Sequence, residues 1–421
     1  LRVSIRHCRY DESDFKLVDQ EKSPPKDPIM NVVCPLRTAH VASISAVPRG
    51  RSVRRALAAT AWLVLSSGAS AQWVYQAVDL GIAGRNSVAK DINNVGQVVG
   101  YADAFAGPFL VSYATLWNGT TATTLGTLTN PEYRLSRATG INDAGKVVGW
   151  ETDGTFSNYS PIAWNGAVPT TLASSGFGSG INNAGQVVGS SQLGGSGSPE
   201  TATLWNGSTP TYLGGLGGPY STAIAINDGA QIVGQAALAN GRGDRAVLWD
   251  GTVATDLGAP LGGSSSGARG INNAGLIVGY SYVSDGSGPR AVAWNGSTAT
   301  QLGSLFGDVY SDAYGVNNSG QIVGVSALAD RSSTRATLWN GTVAIDLNEA
   351  FGKGPEWTLT DATGINDAGW ISANGFNYVK GESHAFMLVP TMVPDPAAYV
   401  TLLFGLGIVG VLIWRHRAAR G

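Results

Sequence analysis

The run Gly270-Ile271-Asn272-Asn273-Ala274-Gly275, followed by Leu276-Ile277-Val278-Gly279-Tyr280-Ser281, a polar loop and Ala291-Val292-Ala293-Trp294-Asn295-Gly296, decides the fold. With its continuation Ser297 to Leu305 it is one copy of a sentence written seven times. Its first landmark, Ile-Asn-Asn/Asp-x-Gly, starts at Ile92, Ile141, Ile181, Ile226, Ile271, Val316 and Ile365, in steps of 40 to 49 residues. A period of this size points to blades or a solenoid array. The second landmark, an apolar run ending in Trp-Asn-Gly or Trp-Asp-Gly, falls at Trp117, Trp164, Trp205, Trp249, Trp294 and Trp339, and Phe386 takes the seventh place.

Each landmark reads as a turn between strand-like runs, so each repeat holds two hairpins and four strands. Asn-Gly and Asp-Gly are strong hairpin signals because both residues tolerate positive φ. In Asn-Asn-Ala-Gly the Asn side chains can bond back to the local backbone, and the Gly supplies a left-handed position. Asn227-Asp228-Gly229-Ala230 exchanges Gly and Ala, which predicts a variant turn in that copy. Strands such as Gln186-Val187-Val188-Gly189 are apolar in runs, which suits sheets covered on both faces. Four short antiparallel strands in about 45 residues is the blade size of a β-propeller.

Closure sharpens the count. Six repeats follow the Trp-x-Gly turn with a fourth strand, as in Thr252 to Gly258, but after Phe386 the chain runs into Val389-Pro390. The missing strand has its counterpart at the other end, Tyr75-Gln76-Ala77-Val78-Asp79-Leu80-Gly81. The sequence therefore predicts an all-β, seven-bladed propeller over residues 72–390 in which the N-terminal strand completes the last blade and leaves no open edge.

The flanks are of another kind. Residues 1–50 carry both cysteines, Cys8 and Cys34, a Pro-rich stretch and no repeat; they read as upstream sequence or a short disordered extension. Residues 51–71 combine a basic start at Arg51, Arg54 and Arg55, an apolar run from Ala56 to Leu65, and small residues ending Ala69-Ser70-Ala71 before Gln72. That is the pattern of a secretory signal peptide cleaved after Ala71. The chain that remains would contain no cysteine, excluding disulfides and thiol chemistry. Residues 391–396 form a linker containing Val393-Pro394-Asp395-Pro396. Residues 397–414 are uncharged and just long enough for one transmembrane helix, and residues 415–421 carry Arg415, Arg417 and Arg420. The basic end should stay cytoplasmic, with the propeller outside.

The tail resembles the PEP-CTERM sorting signal, a Pro-Glu-Pro motif followed by a membrane span and a basic end. Here Asp395 stands where that family usually has Glu. The resemblance implies an exosortase-type processing enzyme and the secretion machinery as partners. The repeats are similar to the HAF extracellular repeat, through His384-Ala385-Phe386, Leu213-Gly214-Gly215-Leu216-Gly217-Gly218 and the Ile181 to Gly189 element. Together the two resemblances imply an exported bacterial protein held at the cell envelope, in a host that makes extracellular polysaccharide.

Chemistry is sparse. Charged residues are 13% of the chain, and the whole-chain net charge is −2. Residues 72–396 hold 13 Lys plus Arg against 23 Asp plus Glu, a net of −10, which argues against nucleic acid or anionic lipid as a partner. His384 is the one histidine within the repeats, too few for a Ser-His-Asp triad or a His-built metal site, and it reads as structural. Most acids, such as Asp143, Asp228, Asp250 and Asp367, do turn duty. The acids that break the repeat, Glu132, Glu151, Asp153, Asp244, Asp308, Asp312, Glu356 and Glu382, are the candidates for carboxylate-dependent glycan hydrolysis or lysis, with no pair assignable. Asn/Asp-rich loops leave Ca²⁺ open, although no EF-type loop occurs. The repeated Trp series reads as core. Trp150, Trp357 and Trp370 lie outside it and are the candidate ligand contacts. No catalytic residue and no cofactor is assigned. The expectation is a non-enzymatic binding or matrix module, against a polysaccharide-active enzyme or a purely structural surface protein.

Overall fold

A computed structural model describes residues 72–393, apart from short loop segments at 82–84, 107–108, 129–134, 153–157, 195–196, 306–307, 329–332 and 351–355. The leader with Ala69 and Ala71, the remainder of the sorting motif (Pro394, Asp395, Pro396), the apolar segment 397–414 and the arginines at 415, 417 and 420 lie outside the described residues. Among the described residues no helix is long and apolar enough to cross a membrane.

Seven four-stranded antiparallel sheets form the propeller. Strand β1 (Gln72–Asp79) precedes blade 1, which comprises β2 (Ser87–Ile92), β3 (Gln97–Ala106), β4 (Phe109–Asn118) and β5 (Thr121–Thr124). Blade 2 is β6 (Ser136–Ile141), β7 (Lys146–Thr152), β8 (Tyr159–Asn165) and β9 (Val168–Thr171). Blades 3 to 6 repeat this order from β10 (Gly176–Ile181), β14 (Gly217–Ile226), β18 (Gly262–Ile271) and β22 (Tyr310–Val316). Blade 7 has β26 (Trp357–Ile365), β27 (Ile371–Asn377) and β28 (Glu382–Val393), and its fourth strand is β1. The predicted closure is what the structure shows: Gln72 pairs with Val393 and Asp79 with Phe386 in an unbroken antiparallel register. His384 clips this joint, its Nδ1 lying 2.9 Å from Asp79 Oδ1.

One boundary moves. The expected linker 391–396 begins too early, because Thr391, Met392 and Val393 belong to β28. Pro390 does not end the strand: the pairing of β28 with β27 already stops at Leu388, so from Val389 onward only β1 lies alongside. A proline is tolerated where one side of a strand is unpaired.

The hairpins also differ from the sequence reading. Asn118 is the last paired residue of β4, facing Thr121, so the two-residue loop is Gly119-Thr120 and not Asn-Gly. Only the glycine takes positive φ, at 58°, and the other five copies repeat this at Gly166, Gly207, Gly251, Gly296 and Gly341. Gly in the first central position is the type II′ pattern, whose twist matches that of the flanking strands. Nor is the turn at Asn227 a variant. Ala230 N donates to Asn227 O at 3.1 Å just as Gly96 N does to Asn93 O, and Ala230 takes the left-handed φ of 60° that glycine holds elsewhere.

The core lies between blades. Trp117, Trp164, Trp205, Trp249, Trp294, Trp339 and Phe386 are at most 2% exposed, as expected for packing residues. Each anchors a cluster that spans a blade boundary, as where Val233 and Ala246 of blade 4 meet Ala268, Val292 and Trp294 of blade 5. Four of the indoles reach a backbone carbonyl, Trp249 Nε1 donating to Gly214 O at 2.6 Å for one. At an indole volume, such burial contributes about 3 kcal/mol per residue.

Candidate functional site

The first strand of every blade lines the central channel and ends at the Ile-Asn landmark, where two closed hydrogen-bond rings form. In the first, each landmark Asn donates its Nδ2 to the backbone O of the next, from Asn93 through Asn142, Asn182, Asn227, Asn272 and Asn317 to Asn366 and back to Asn93, at 2.9–3.1 Å. The Oδ1 of each accepts from the residue four places on, as in Gln97 N to Asn93 Oδ1. In the second ring, the backbone N of Asn94, Asp143, Asn183, Asp228, Asn273, Asn318 and Asp367 each donates to the side-chain oxygen of its neighbour. No two aspartates adjoin, so every carboxylate is flanked by amides and like charges stay apart. Asp228 shows the balance. Burial pushes its pKa up, but bonds from Asn183 and Asn273 outweigh this and hold it below the ordinary range.

The other end of the channel is a funnel of about 780 Å³, within the size range of small-ligand sites. Its wall comes from the positions where the repeats differ. Two residues before the Ile-Asn landmark stand Lys90, Thr139, Ser179, Ile224, Arg269, Tyr314 and Thr363, all lining the cavity. Two places earlier again, the same strand face carries Arg137 in blade 2, Asp312 in blade 6 and Asp361 in blade 7. The second strands put Tyr101, Trp150 and Tyr280 opposite this level, through the pairs Val88↔Tyr101, Arg137↔Trp150 and Gly267↔Tyr280. This strand face supplies one variable position to the lining in every blade and a second, Arg137 and Asp361, in blades 2 and 7, while the small residue between them, Ala in six blades and Gly178 in blade 3, is buried.

The position just before the landmark isoleucine is Gly in five blades and Ala225 in one. A β-carbon on Gly180 or Gly270 would lie 2.8 Å from the next blade's backbone oxygen, so the axis admits little there. Blade 1 has Asp91 instead. Its Oδ1 accepts from Ile92 N and its Oδ2 from Ile141 N of the next blade, at 2.8 and 3.0 Å. Burial, only partly offset by those two bonds and reinforced by Asp143, raises its pKa to about 6.

Charges in the funnel are arranged by blade. Arg269 lies over Tyr280, 5.0 Å from the ring centre, and 3.5 Å from the buried carboxylate of Asp312. Burial alone would lower the Arg269 pKa; Asp312 and the nearby tyrosines more than restore it. Tyr314 is pushed well above the ordinary phenol range by burial and by Asp312, Tyr310 and Asp361. Lys90 is exposed at the channel, yet desolvation by the surrounding protein lowers its pKa; Asp361 pulls it up and Arg137 pushes it down. Asp361 accepts from Asn374 Nδ2 and Thr360 Oγ1 at 2.9 and 2.8 Å. Arg137 is sandwiched, 4.2 Å from the Tyr101 ring centre and 5.3 Å from that of Trp150.

Of the tryptophans singled out in the sequence, only Trp150 lines the funnel. Trp357 packs within blade 7, tilted against His384 at 4.5 Å and edge-on to Phe386 at 5.2 Å. Trp370 sits at the opposite, Asn-ring end, where it covers Gly96 and packs into the cluster joining blades 7 and 1. The repeat-breaking acids scatter likewise. Asp312 reaches the funnel region through Arg269, while Glu151 is buried and accepts from Leu128 N. Asp244 takes the Tyr220 hydroxyl at 2.5 Å, Asp308 pairs with Arg335 at 2.7 Å, and Glu382 lies 3.7 Å from His384 Nε2. Glu356 is exposed in a turn. Glu132 and Asp153 lie outside the described residues. Among the described residues no cluster of three or more His, Cys, Asp or Glu side chains has the arrangement to hold a metal ion. Sequence reasoning missed Lys90, Asp91, Arg137, Arg269, Tyr314 and Asp361. The signal was available: aligned on the landmark isoleucine, these are the positions that refuse to repeat.

No family model matches the sequence, and no curated protein matches it. Among solved structures it is similar to the β-propeller domain of the trilobed protease from Pyrococcus furiosus, described as having an open velcro topology. That match has 9% identity and a TM-score of 0.51, and covers 73% of this chain and 95% of that one. TolB from Acinetobacter baumannii aligns at 11% identity and a TM-score of 0.38, over 76% of this chain and 98% of its own. At such identities the likeness concerns the fold alone.

Proposed function

We propose that this chain is an exported, surface-sorted bacterial repeat protein whose propeller is a non-enzymatic binding module for extracellular polysaccharide. The observation that carries the binding reading is the convergence of the non-repeating residues Lys90, Arg137, Trp150, Arg269, Tyr314 and Asp361 on one funnel. A scaffold serving only as a spacer has no reason to vary its repeats at one end of its axis and hold them constant at the other. Export and sorting rest on the leader-like 51–71 and the tail-like 393–421, and the HAF-type repeat is the corresponding family expectation.

A carboxylate-dependent glycan hydrolase or lyase is the second reading, and Asp91 favours it: an acid near the funnel floor with a pKa of about 6 is suited to proton transfer. Against this, both of its oxygens already accept backbone N–H groups. The test is to mix the ring, residues 72–393, with the host's exopolysaccharide and follow co-sedimentation and polymer size together. Sedimentation without shortening is the expected result; shortening would make the protein an enzyme, and neither would leave a structural surface protein. Separately, the exported protein should begin at Gln72, and an intact sequence upstream of Ala71 would remove the leader reading.

A further inference from the structure

Two arginine–aromatic corners stand on the funnel wall, built alike but finished differently. Arg269 lies over Tyr280 and has the Asp312 carboxylate at 3.5 Å. Arg137 has Tyr101 and Trp150 beside its guanidinium, and its Nε, like that of Arg269, is buried with no acceptor among the described residues; what differs is the carboxylate. No carboxylate pairs with it among the described residues. Rings on its faces leave a guanidinium only its edge for hydrogen bonding, and that edge is the one suited to a planar carboxylate. A part-buried guanidinium with no carboxylate beside it is costly, so an anionic partner from outside gains the ion pair that Asp312 provides internally for the Arg269 Nη2.

We propose that the funnel takes a monoanionic, carboxylate-bearing sugar, the uronic acid end of an acidic glycan, with its carboxylate on Arg137. The proposal rests on the binding reading above and names its ligand class. Beside Arg137, Trp150 meets Tyr159 and Phe177 edge-on at 5.2 and 5.9 Å, and all three rings are part-exposed, which provides an apolar platform next to the charge. Asp312 and Asp361 on blades 6 and 7 disfavour a dianion such as a phosphomonoester, whereas one negative charge is matched by the one unpaired guanidinium. The volume of about 780 Å³ suits a chain end of a few sugars.

The experiment is calorimetric titration of the intact chain with a galactose trisaccharide whose terminal sugar alone is galacturonic acid, with neutral galactotriose, and with a galactose trisaccharide carrying one sulfate ester. The uronic acid trisaccharide should bind at least about tenfold more tightly than either of the others. Arg137→Gln should weaken it about tenfold while leaving the melting temperature and the weak galactotriose binding unchanged, and Arg137→Lys should restore only part of the loss. Arg242→Gln, an exposed loop arginine, should change nothing, separating local recognition from general charge. Equal affinity for galactotriose, preference for the sulfate ester, or indifference to Arg137→Gln would each overturn the proposal. If no trisaccharide binds while the host polymer still sediments with the ring, the ligand class is wrong and the binding reading stands. If the polymer fails too, both fall.

Discussion

Single residues show where the repeat is under strain. Ala230 is the only described non-glycine residue with positive φ, because Gly229 stands one place too early in its turn. A β-carbon in the left-handed region costs about 1–2 kcal/mol, part of which is returned by the greater unfolded-state entropy of glycine. Ala230→Gly should therefore raise stability by about 0.5–1 kcal/mol, read as a higher denaturation midpoint with unchanged slope. Asp91 carries the opposite kind of strain. Its folded pKa of about 6 exceeds the usual 3.8, so the folded state holds the proton more tightly than the unfolded chain. The stability it contributes is complete below about pH 4 and is lost as pH rises toward 6. Asp91→Gly installs the residue of five sister strands and should delete that falling limb from a melting-temperature profile between pH 4 and 7. A limb that persists in the variant would assign it to another group.

Elements were the most legible scale. The spacing of Ile-Asn and Trp-Asn-Gly sufficed for four strands per blade, and the missing strand after Phe386 sufficed for closure by β1. Local detail was less legible, because Asn-Gly is compatible with two hairpin types and only the pairing of Asn118 with Thr121 decides between them. The strand end at Val393 was hidden by Pro390, whose effect depends on which neighbours remain alongside. Strand β1 and the residue after it bring Tyr75 and Leu80, 5% and 3% exposed, into the clusters of blades 7 and 1. Deleting residues 72–81 removes about 3 kcal/mol or more of apolar burial from those two side chains and bares the edge of β28. The expected outcome is a sharply lower melting temperature with aggregation; an unchanged one would contradict closure.

At the scale of the whole molecule, the two ends of the axis have opposite designs. The Asn rings are legible as turns in one repeat but not as rings, because each bond joins blades 40 to 49 residues apart, or 273 at the closure. The funnel was half legible: the rule that a site breaks the repeat led to Trp150, which lines the cavity, and to Asp312, which contacts the lining residue Arg269. Applied to tryptophans alone, the same rule also selected Trp357 and Trp370, which lie away from the funnel and pack against the clusters of blade 7 and of the joint between blades 7 and 1. The β1–β28 joint has a mechanical consequence. Gln72 lies directly opposite Val393, so tension applied through both chain ends loads the ladder at one rim and breaks its bonds one at a time. In single-molecule pulling, attachment at residues 72 and 393 should open the ring at markedly lower force than attachment at 72 and 382, which shears the whole ladder at once. A ring tethered by one end alone feels no such peeling, however hard its cargo pulls; held by both, it unbuckles.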